Sequence, residues 1–319
     1  MNSSTDKKVR VGVVGVGSLG QHHARIYSEM DTAELIGIYD TDRGRAAEIA
    51  SKCHTRAFDS IEELASAIEA VSIAVPTDRH FAISTTLMEK GLHVLVEKPI
   101  AASVDEAEAM VKMAEQKNII LQVGHVERFN PVMRFLEDNL SKPRFIEATR
   151  LAPYPPPRAS TVPRGTEVSV VLDLMIHDLD IILHLVKSPV KDIHAVGVPV
   201  LSRTEDIANT RLVFSNGCVA NVTASRISQE KLRKIRVFEE DTYVSLDYMN
   251  QSGNLYSKKG GSISTSQVPL EKGEPLVLEL TSFLRCVVEQ RTPVVTGRHA
   301  YNALKLAIEI CRQMRENPS

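Results

Sequence analysis

Val9-Arg10-Val11-Gly12-Val13-Val14-Gly15-Val16-Gly17-Ser18-Leu19-Gly20 stands near the start of the chain. A short β-branched run ends in Gly-x-Gly-x-x-Gly, and a helical stretch, Leu19–Met30, follows at once. Glycines there let backbone N–H groups approach a pyrophosphate, and the N-terminus of the next helix favours the same anion. Asp40 closes the following β-branched run, twenty residues past Gly20, where a carboxylate accepts from both ribose hydroxyls of an adenosine. Together these signals predict a dinucleotide site. A carboxylate at this place repels a 2′-phosphate, so NAD is favoured over NADP, with Arg43 near enough in sequence to offset that repulsion. Asp40 also suits a helix cap in the turn Asp40-Thr41-Asp42.

The same alternation continues outward from this segment. Val9–Val14, Ala33–Asp40, Ala70–Val75, His93–Val96 and Ile119–Val123 read as strands, separated by helices over Leu19–Met30, Arg43–Lys52, Arg79–Lys90 and Val104–Gln116. Buried strands joined by helices imply a parallel, doubly wound α/β sheet. After Gly124 the pattern changes. A Pro-rich loop, Pro153-Tyr154-Pro155-Pro156-Pro157, leads to a long helix over Val168–Val186, then to strands joined by short turns. Asn216-Gly217 predicts a two-residue type I′ hairpin, and Glu240-Asp241 a second hairpin. Helices over Leu276–Glu289 and His299–Arg315 end the chain. A Rossmann domain over 1–126 and an α+β substrate-binding and oligomerisation domain with an open, mostly antiparallel sheet over 127–319 follow.

A length of 319 residues agrees with two domains. With 43% hydrophobic and 24% charged residues there is ample material for packed cores. A net charge of −2 offers no basic face for nucleic acid, and the N-terminal pattern is neither a signal peptide nor a membrane span. Cys53, Cys218, Cys286 and Cys311 are scattered without metal-ligand spacing, so neither a metal site nor a disulfide framework is expected, and a reducing cytoplasm fits.

Two further motifs carry chemistry. Glu97-Lys98-Pro99 ends a parallel strand at the edge where open α/β sheets place ligands. Asp173-Leu174-Met175-Ile176-His177-Asp178-Leu179-Asp180 puts Asp173 and His177 four residues apart on one helix face, with Asp180 on nearly the same stripe. An imidazole is suited to take a hydroxyl proton at neutral pH while a C–H bond breaks, and a neighbouring carboxylate can orient it. A lysine facing the alcohol oxygen would favour its alkoxide character. His177, Asp173 and Lys98 are accordingly the candidate catalytic residues. Arg158 and Arg164, in and after the Pro-rich loop, are candidates for a diphosphate or carboxylate.

In this order and at these separations the glycine loop, Val75-Pro76-Thr77-Asp78-Arg79-His80, Glu97-Lys98-Pro99 and the Asp173…His177…Asp180 helix resemble the Gfo/Idh/MocA oxidoreductases. The resemblance spans essentially the whole chain. It implies NAD held by Gly15, Gly17, Ser18, Leu19, Gly20, Asp40, Pro76, Thr77, His80, Glu97 and Lys98, with Lys98 and His177 beside the substrate. A narrower resemblance, in His125-Val126-Glu127-Arg128-Phe129-Asn130-Pro131 and Ala224-Ser225-Arg226, is to the branch that oxidises UDP-N-acetylglucosamine at C3 ahead of a PLP-dependent aminotransferase in making diamino-sugar lipid A. It implies substrate contacts from Lys98, Arg128, Asn130, Arg158, Arg164, Asp173 and His177. Other branches act on inositols and UDP-sugar acids, and the glycines that often precede the catalytic helix are Val168-Ser169-Val170 here. A non-catalytic NAD-sensing regulator of the same fold is the reading from another class, against which the joint presence of Lys98, Asp173 and His177 argues. An open sheet covered on one face leaves the other to a partner, so a homodimer or homotetramer is expected.

Overall fold

The computed structural model describes residues 8–156 and 165–316. The chain forms two compact units, Met1–Val126 with Glu274–Tyr301, and Glu127–Gly273 with Asn302–Ser319.

In the first unit β1 (Val9–Val14), α1 (Gly20–Glu29), β2 (Ala33–Tyr39), α2 (Arg43–Lys52), β3 (Arg56–Ala57), α3 (Ile61–Ala67), β4 (Ala70–Ile73), α4 (His80–Glu89), β5 (His93–Glu97), α5 (Val104–Lys117) and β6 (Leu121–Gly124) succeed one another. The sheet is six-stranded, β3-β2-β1-β4-β5-β6, and every pairing is parallel. The strand order reverses between β1 and β4, which places the ligand crevice at their carboxyl ends. Two small elements, β3 and α3, extend the alternation expected from sequence. Ser103 followed three residues on by Glu106 resembles a capping box in the sequence, and Ser103 caps α5, accepting from the Glu106 N–H at 3.2 Å.

The second unit contains α6 (Pro131–Asn139), β7 (Phe145–Leu151), a π-helical turn over Val171–Met175, α7 (Ile176–Val186), and then β8 (Val190–Val198), β9 (Ile207–Phe214), β10 (Val219–Ser225), β11 (Leu232–Phe238), β12 (Thr242–Asp247), β13 (Ser252–Lys259) and β14 (Ser262–Gln267). Its eight strands run β14-β13-β12-β11-β7-β10-β9-β8, and only β7 and β10 pair in parallel. Strict alternation buries one face, with Ile146 and Ala148, Leu212 and Phe214, Ala220 and Val222, and Ile235 and Val237 inside. The apolar side of the π turn and α7, including Val171, Met175, Leu179 and Ile182, is buried within the same unit.

The structure corrects three expectations. Residues 274–301, assigned from sequence to the second domain, belong to the first unit. The apolar stripe of α8 (Pro275–Glu289), with Leu280, Phe283, Leu284 and Val287, is buried in one cluster with Val9, Val11, Val13 and Tyr27. That stripe is followed by α9 (Gly297–Glu316). The Asn216-Gly217 turn is not type I′, because Gly217 alone has positive φ, +86°. Its N–H bonds to the Phe214 carbonyl at 2.9 Å, so Ser215 and Asn216 form an ordinary turn and Gly217 a bulge. Finally, the helix expected to run regularly from Val168 passes first through the π turn, where the Ile176 N–H reaches back five residues to Val171.

Candidate active site

Gly15 follows β1 with φ +84°, and a Cβ there would stand 2.8 Å from the Ala74 carbonyl oxygen after β4. A side chain at Gly20 would drive into the Gly15 carbonyl. These two glycines are thus demanded by close backbone approach, whereas the space above Gly17 is open and Ser18 is exposed. The first turn of α1, which Leu19 precedes, carries neither a capping side chain nor an acidic residue, leaving its N–H groups and positive dipole end suited to an anion.

Asp40 is held beside this loop. One carboxylate oxygen accepts the Val16 N–H at 2.7 Å and the other the Asp42 N–H at 2.9 Å. A carboxylate has about four acceptor positions, so ribose hydroxyls can still be received. The cap of α2 is Asp42 instead, accepting from the Arg45 N–H at 3.0 Å. Arg43 pairs with Asp59 at 3.6 Å, both largely exposed. Arg45, not singled out by sequence, braces the loop: its Nε donates to the Val16 carbonyl at 3.2 Å and an Nη to Gln21 at 2.8 Å. The loop, the bare helix end and the placed carboxylate fit NAD.

At the end of β4, Pro76 leads into a 3₁₀ turn, Thr77–Arg79. His80 follows with its ring nitrogens 2.8 Å from the Pro99 carbonyl and 3.0 Å from that of Val75, so it ties this turn to the one after β5. Burial pulls its pKa below the ordinary imidazole value, against those two acceptors. Glu97 is buried beneath the same turn, accepting from His23 at 3.1 Å and from the Lys98 N–H at 3.3 Å. Burial alone would push the Glu97 carboxyl up; the His23 hydrogen bond and the nearby Lys98 charge outweigh it and hold the group below its ordinary value. Glu97 thus serves as a buried support, with His23 as its partner. Lys98 follows β5 directly and is half-buried, in a cis bond to Pro99.

In the second unit Asp173 lies within the π turn and His177 at the start of α7, both half-buried. Four residues are slightly more than an α turn and slightly less than one turn of the wider π form, so both remain on one face. Asp180 is buried, 3.4 Å from Arg128, which is itself 2% exposed at the side chain. Arg128 and Asn130, expected at the substrate, are committed inward: Asn130 caps α6, accepting from the Val132 N–H at 3.2 Å, and donates to the Tyr248 carbonyl at 3.0 Å. Around them Arg150 grips Asp178 through two bonds, 2.7 and 3.1 Å, and Glu127 at 3.0 Å, while Arg233 reaches Glu127 at 3.1 Å. Burial would raise the Glu127 carboxyl, but these guanidiniums hold it below the ordinary range. Three arginines thus face three carboxylates, and the segment expected to meet substrate fastens α7 to β7. Arg158 and Arg164 lie outside the described residues. Among the described residues no group of His, Cys, Asp and Glu could hold a metal ion, and no helix is long and apolar enough to cross a membrane.

Residues 9–125 match the oxidoreductase family with an NAD-binding Rossmann fold, and residues 136–244 match the GFO/IDH/MocA C-terminal domain. The chain belongs to the Gfo/Idh/MocA oxidoreductases. It is an NAD-dependent dehydrogenase acting on CH–OH groups. It is 35% identical to the UDP-N-acetylglucosamine 3-dehydrogenase of Acidithiobacillus ferrooxidans, over 95% of this chain and 96% of that one. The solved structure of that enzyme matches with a TM-score of 0.91, covering 97% and 98% of the two chains. The scyllo-inositol 2-dehydrogenase of Bacillus subtilis is 27% identical over 97% of this chain and 95% of its own. Levoglucosan dehydrogenase, solved with NADH and levoglucosan, shares the fold with a TM-score of 0.88 at 18% identity, covering 97% and 98%.

Proposed function

We propose that the chain oxidises UDP-N-acetylglucosamine at C3, giving a 3-keto sugar nucleotide that a PLP-dependent aminotransferase consumes on the way to a diamino-sugar lipid A. The end-to-end likeness to the UDP-N-acetylglucosamine 3-dehydrogenase carries this reading. His177 takes the hydroxyl proton, Asp173 orients its ring and stabilises the imidazolium, and Lys98 donates to the alcohol oxygen as negative charge develops there. NAD, held at the glycine loop and Asp40, supplies the hydride acceptor. Arg158 and Arg164 are kept as contacts for the diphosphate. We place the enzyme in the cytoplasm as a homodimer or homotetramer, joined through the open face of the eight-stranded sheet.

Formation of a ketone from NAD is uphill, so the test couples it: the chain, NAD, UDP-N-acetylglucosamine, glutamate and a sugar-nucleotide transaminase, with mass spectrometry for a UDP-diamino sugar. If none forms while scyllo-inositol or a UDP-sugar acid reduces NAD, the substrate is wrong and the family chemistry stands. The similarity to the inositol dehydrogenase makes scyllo-inositol the first alternative. Lys98→Met and His177→Asn should each lower kcat by at least about a hundredfold, the range typical of lost acid–base or electrostatic groups, with NAD affinity by calorimetry nearly unchanged.

A further inference from the structure

Arg226, directly after β10, is among the largest fully buried side chains, and its guanidinium spends all its donors inside the second unit. Its Nε donates to Asp206 at 2.8 Å. One Nη donates to the carbonyls of Gly165 and Val168, and the other to Ser202 at 3.1 Å and Thr204 at 2.9 Å. Thr204 in turn donates to the Val168 carbonyl at 2.9 Å. Asp206 is fixed as firmly, accepting the N–H groups of Val200, Leu201 and Ser202. Burial would raise its carboxyl, but the hydrogen bonds from Ser202, Arg226 and Val200 hold it well below the ordinary range.

The clamped segment runs straight into the π turn that carries Asp173. Gly165 has φ +83°, and a Cβ there would collide with the Asp173 carboxylate, standing 2.8 Å from its Cγ as well as against an oxygen. The carboxylate therefore rests on a bare Cα that two arginine-held carbonyls keep in place. Upstream support of this kind does not depend on glycines at Val168-Ser169-Val170.

We propose that Arg226 and Gly165 are positioning residues for the reaction: Arg226, seated on Asp206, fixes the 165–168 segment, and Gly165 sets the orientation in which Asp173 meets the His177 ring. This rests on the roles of Asp173 and His177 proposed above. A merely structural Arg226 would change stability and leave turnover per folded molecule intact; a positioning role separates kcat from binding.

The test uses the full chain with NAD and whichever of UDP-N-acetylglucosamine (coupled to the transaminase as above), scyllo-inositol or a UDP-sugar acid the wild type oxidises, comparing Gly165→Ala, Arg226→Met, Arg226→Lys, Asp173→Asn and the Gly165→Ala/Asp173→Asn pair. Gly165→Ala should lower kcat at least about tenfold while KM and Kd for NAD stay within about twofold. Arg226→Lys should recover part of the kcat lost in Arg226→Met. In the Asp173→Asn background Gly165→Ala should change kcat less than about twofold, because the orientation it disturbs no longer matters. Wild-type kcat in Gly165→Ala, or a full loss repeated on top of Asp173→Asn, would overturn the proposal while leaving the catalytic reading intact. Wild-type kcat in Asp173→Asn, or no oxidation of any of the three alcohols by the wild type, would remove the reading and the proposal together.

Discussion

Asp40 illustrates how much a single carboxylate is asked to do. It holds the Val16 and Asp42 N–H groups and stands where a ribose would be received, while Arg43 faces Asp59. Asp40→Asn keeps an acceptor oxygen for the loop but removes the charge that repels a 2′-phosphate, so the ratio of kcat/KM for NAD to that for NADP should fall on the order of tenfold, about 1.4 kcal/mol. Steady-state kinetics with both cofactors checks this; an unchanged ratio would show that selectivity lies elsewhere. Glu279 on α8 behaves oppositely. It is fully buried, both carboxylate oxygens lack a hydrogen-bond partner, and burial followed by the nearby Glu97 charge raises its pKa well above 4.5. The folded chain therefore keeps Glu279 protonated at pH values where the unfolded chain has released the proton. Its contribution to stability is fully present below the unfolded pKa of 4.5 and shrinks as pH rises toward the folded value. Glu279→Gln, which cannot titrate, should gain on the wild type as pH rises from 4.5 toward the folded value. Thermal unfolding of both proteins across that range measures it, and a constant difference in Tm would contradict the argument.

Among the elements, α7 is fastened to β7 by Arg150, whose side chain is 3% exposed between Asp178 and Glu127. Arg150→Met strands the buried Asp178 without its cation, leaves Glu127 with Arg233 alone, and should cost about 3–5 kcal/mol. The exposed Arg236–Glu147 pair, cut by Arg236→Met, should cost less than about 1 kcal/mol; urea unfolding of the two variants makes the comparison. What the sequence revealed of these elements follows from the distance over which each is determined. The glycine loop, Asp40 and the Ser103 cap were legible because their partners lie within a few residues or one strand–helix unit. The two residues of β3 have no length over which a period could show. The Asn216 turn departs from type I′ where distant groups hold Asn216: Ser188 accepts its N–H and the Val186 carbonyl its side-chain amide. In the same way the α8 stripe announced a helix but not its burial against β1, and Arg128 announced a cation but not that Asp180, 52 residues on, would neutralise it. The Arg226–Gly165 bond spans 61 residues and left no trace in local pattern.

At the scale of the whole molecule the outstanding feature is the face of the eight-stranded sheet opposite its buried side, half-exposed among the described residues. Register places Val213, Val219, Phe145, Phe238, Tyr243 and Tyr256 in one row across six strands on that face. The aromatic members touch in sequence, with ring centroids 5.8 Å apart for Phe145–Phe238, 4.8 Å for Phe238–Tyr243 and 4.1 Å for Tyr243–Tyr256. Val196 and Val198 continue the same face onto β8, 51% and 45% exposed. An apolar band crossing the sheet, flanked by Arg236, Glu147, Asn221 and Arg211, has the mixed core and rim of a protein interface. A second copy can cover it about a two-fold axis, each row lying against its counterpart, so that the apolar band is matched without any further chain. On this argument light scattering at micromolar concentration should give a dimer or tetramer for the wild type. Tyr243→Glu, which puts a charge in the middle of the row, should shift the population toward monomer without lowering NAD affinity, since the glycine loop and Asp40 lie in the other unit. A wild type that is monomeric at that concentration would refute the assignment of this face, and a Tyr243→Glu variant that keeps the wild-type mass would move the interface elsewhere on the chain.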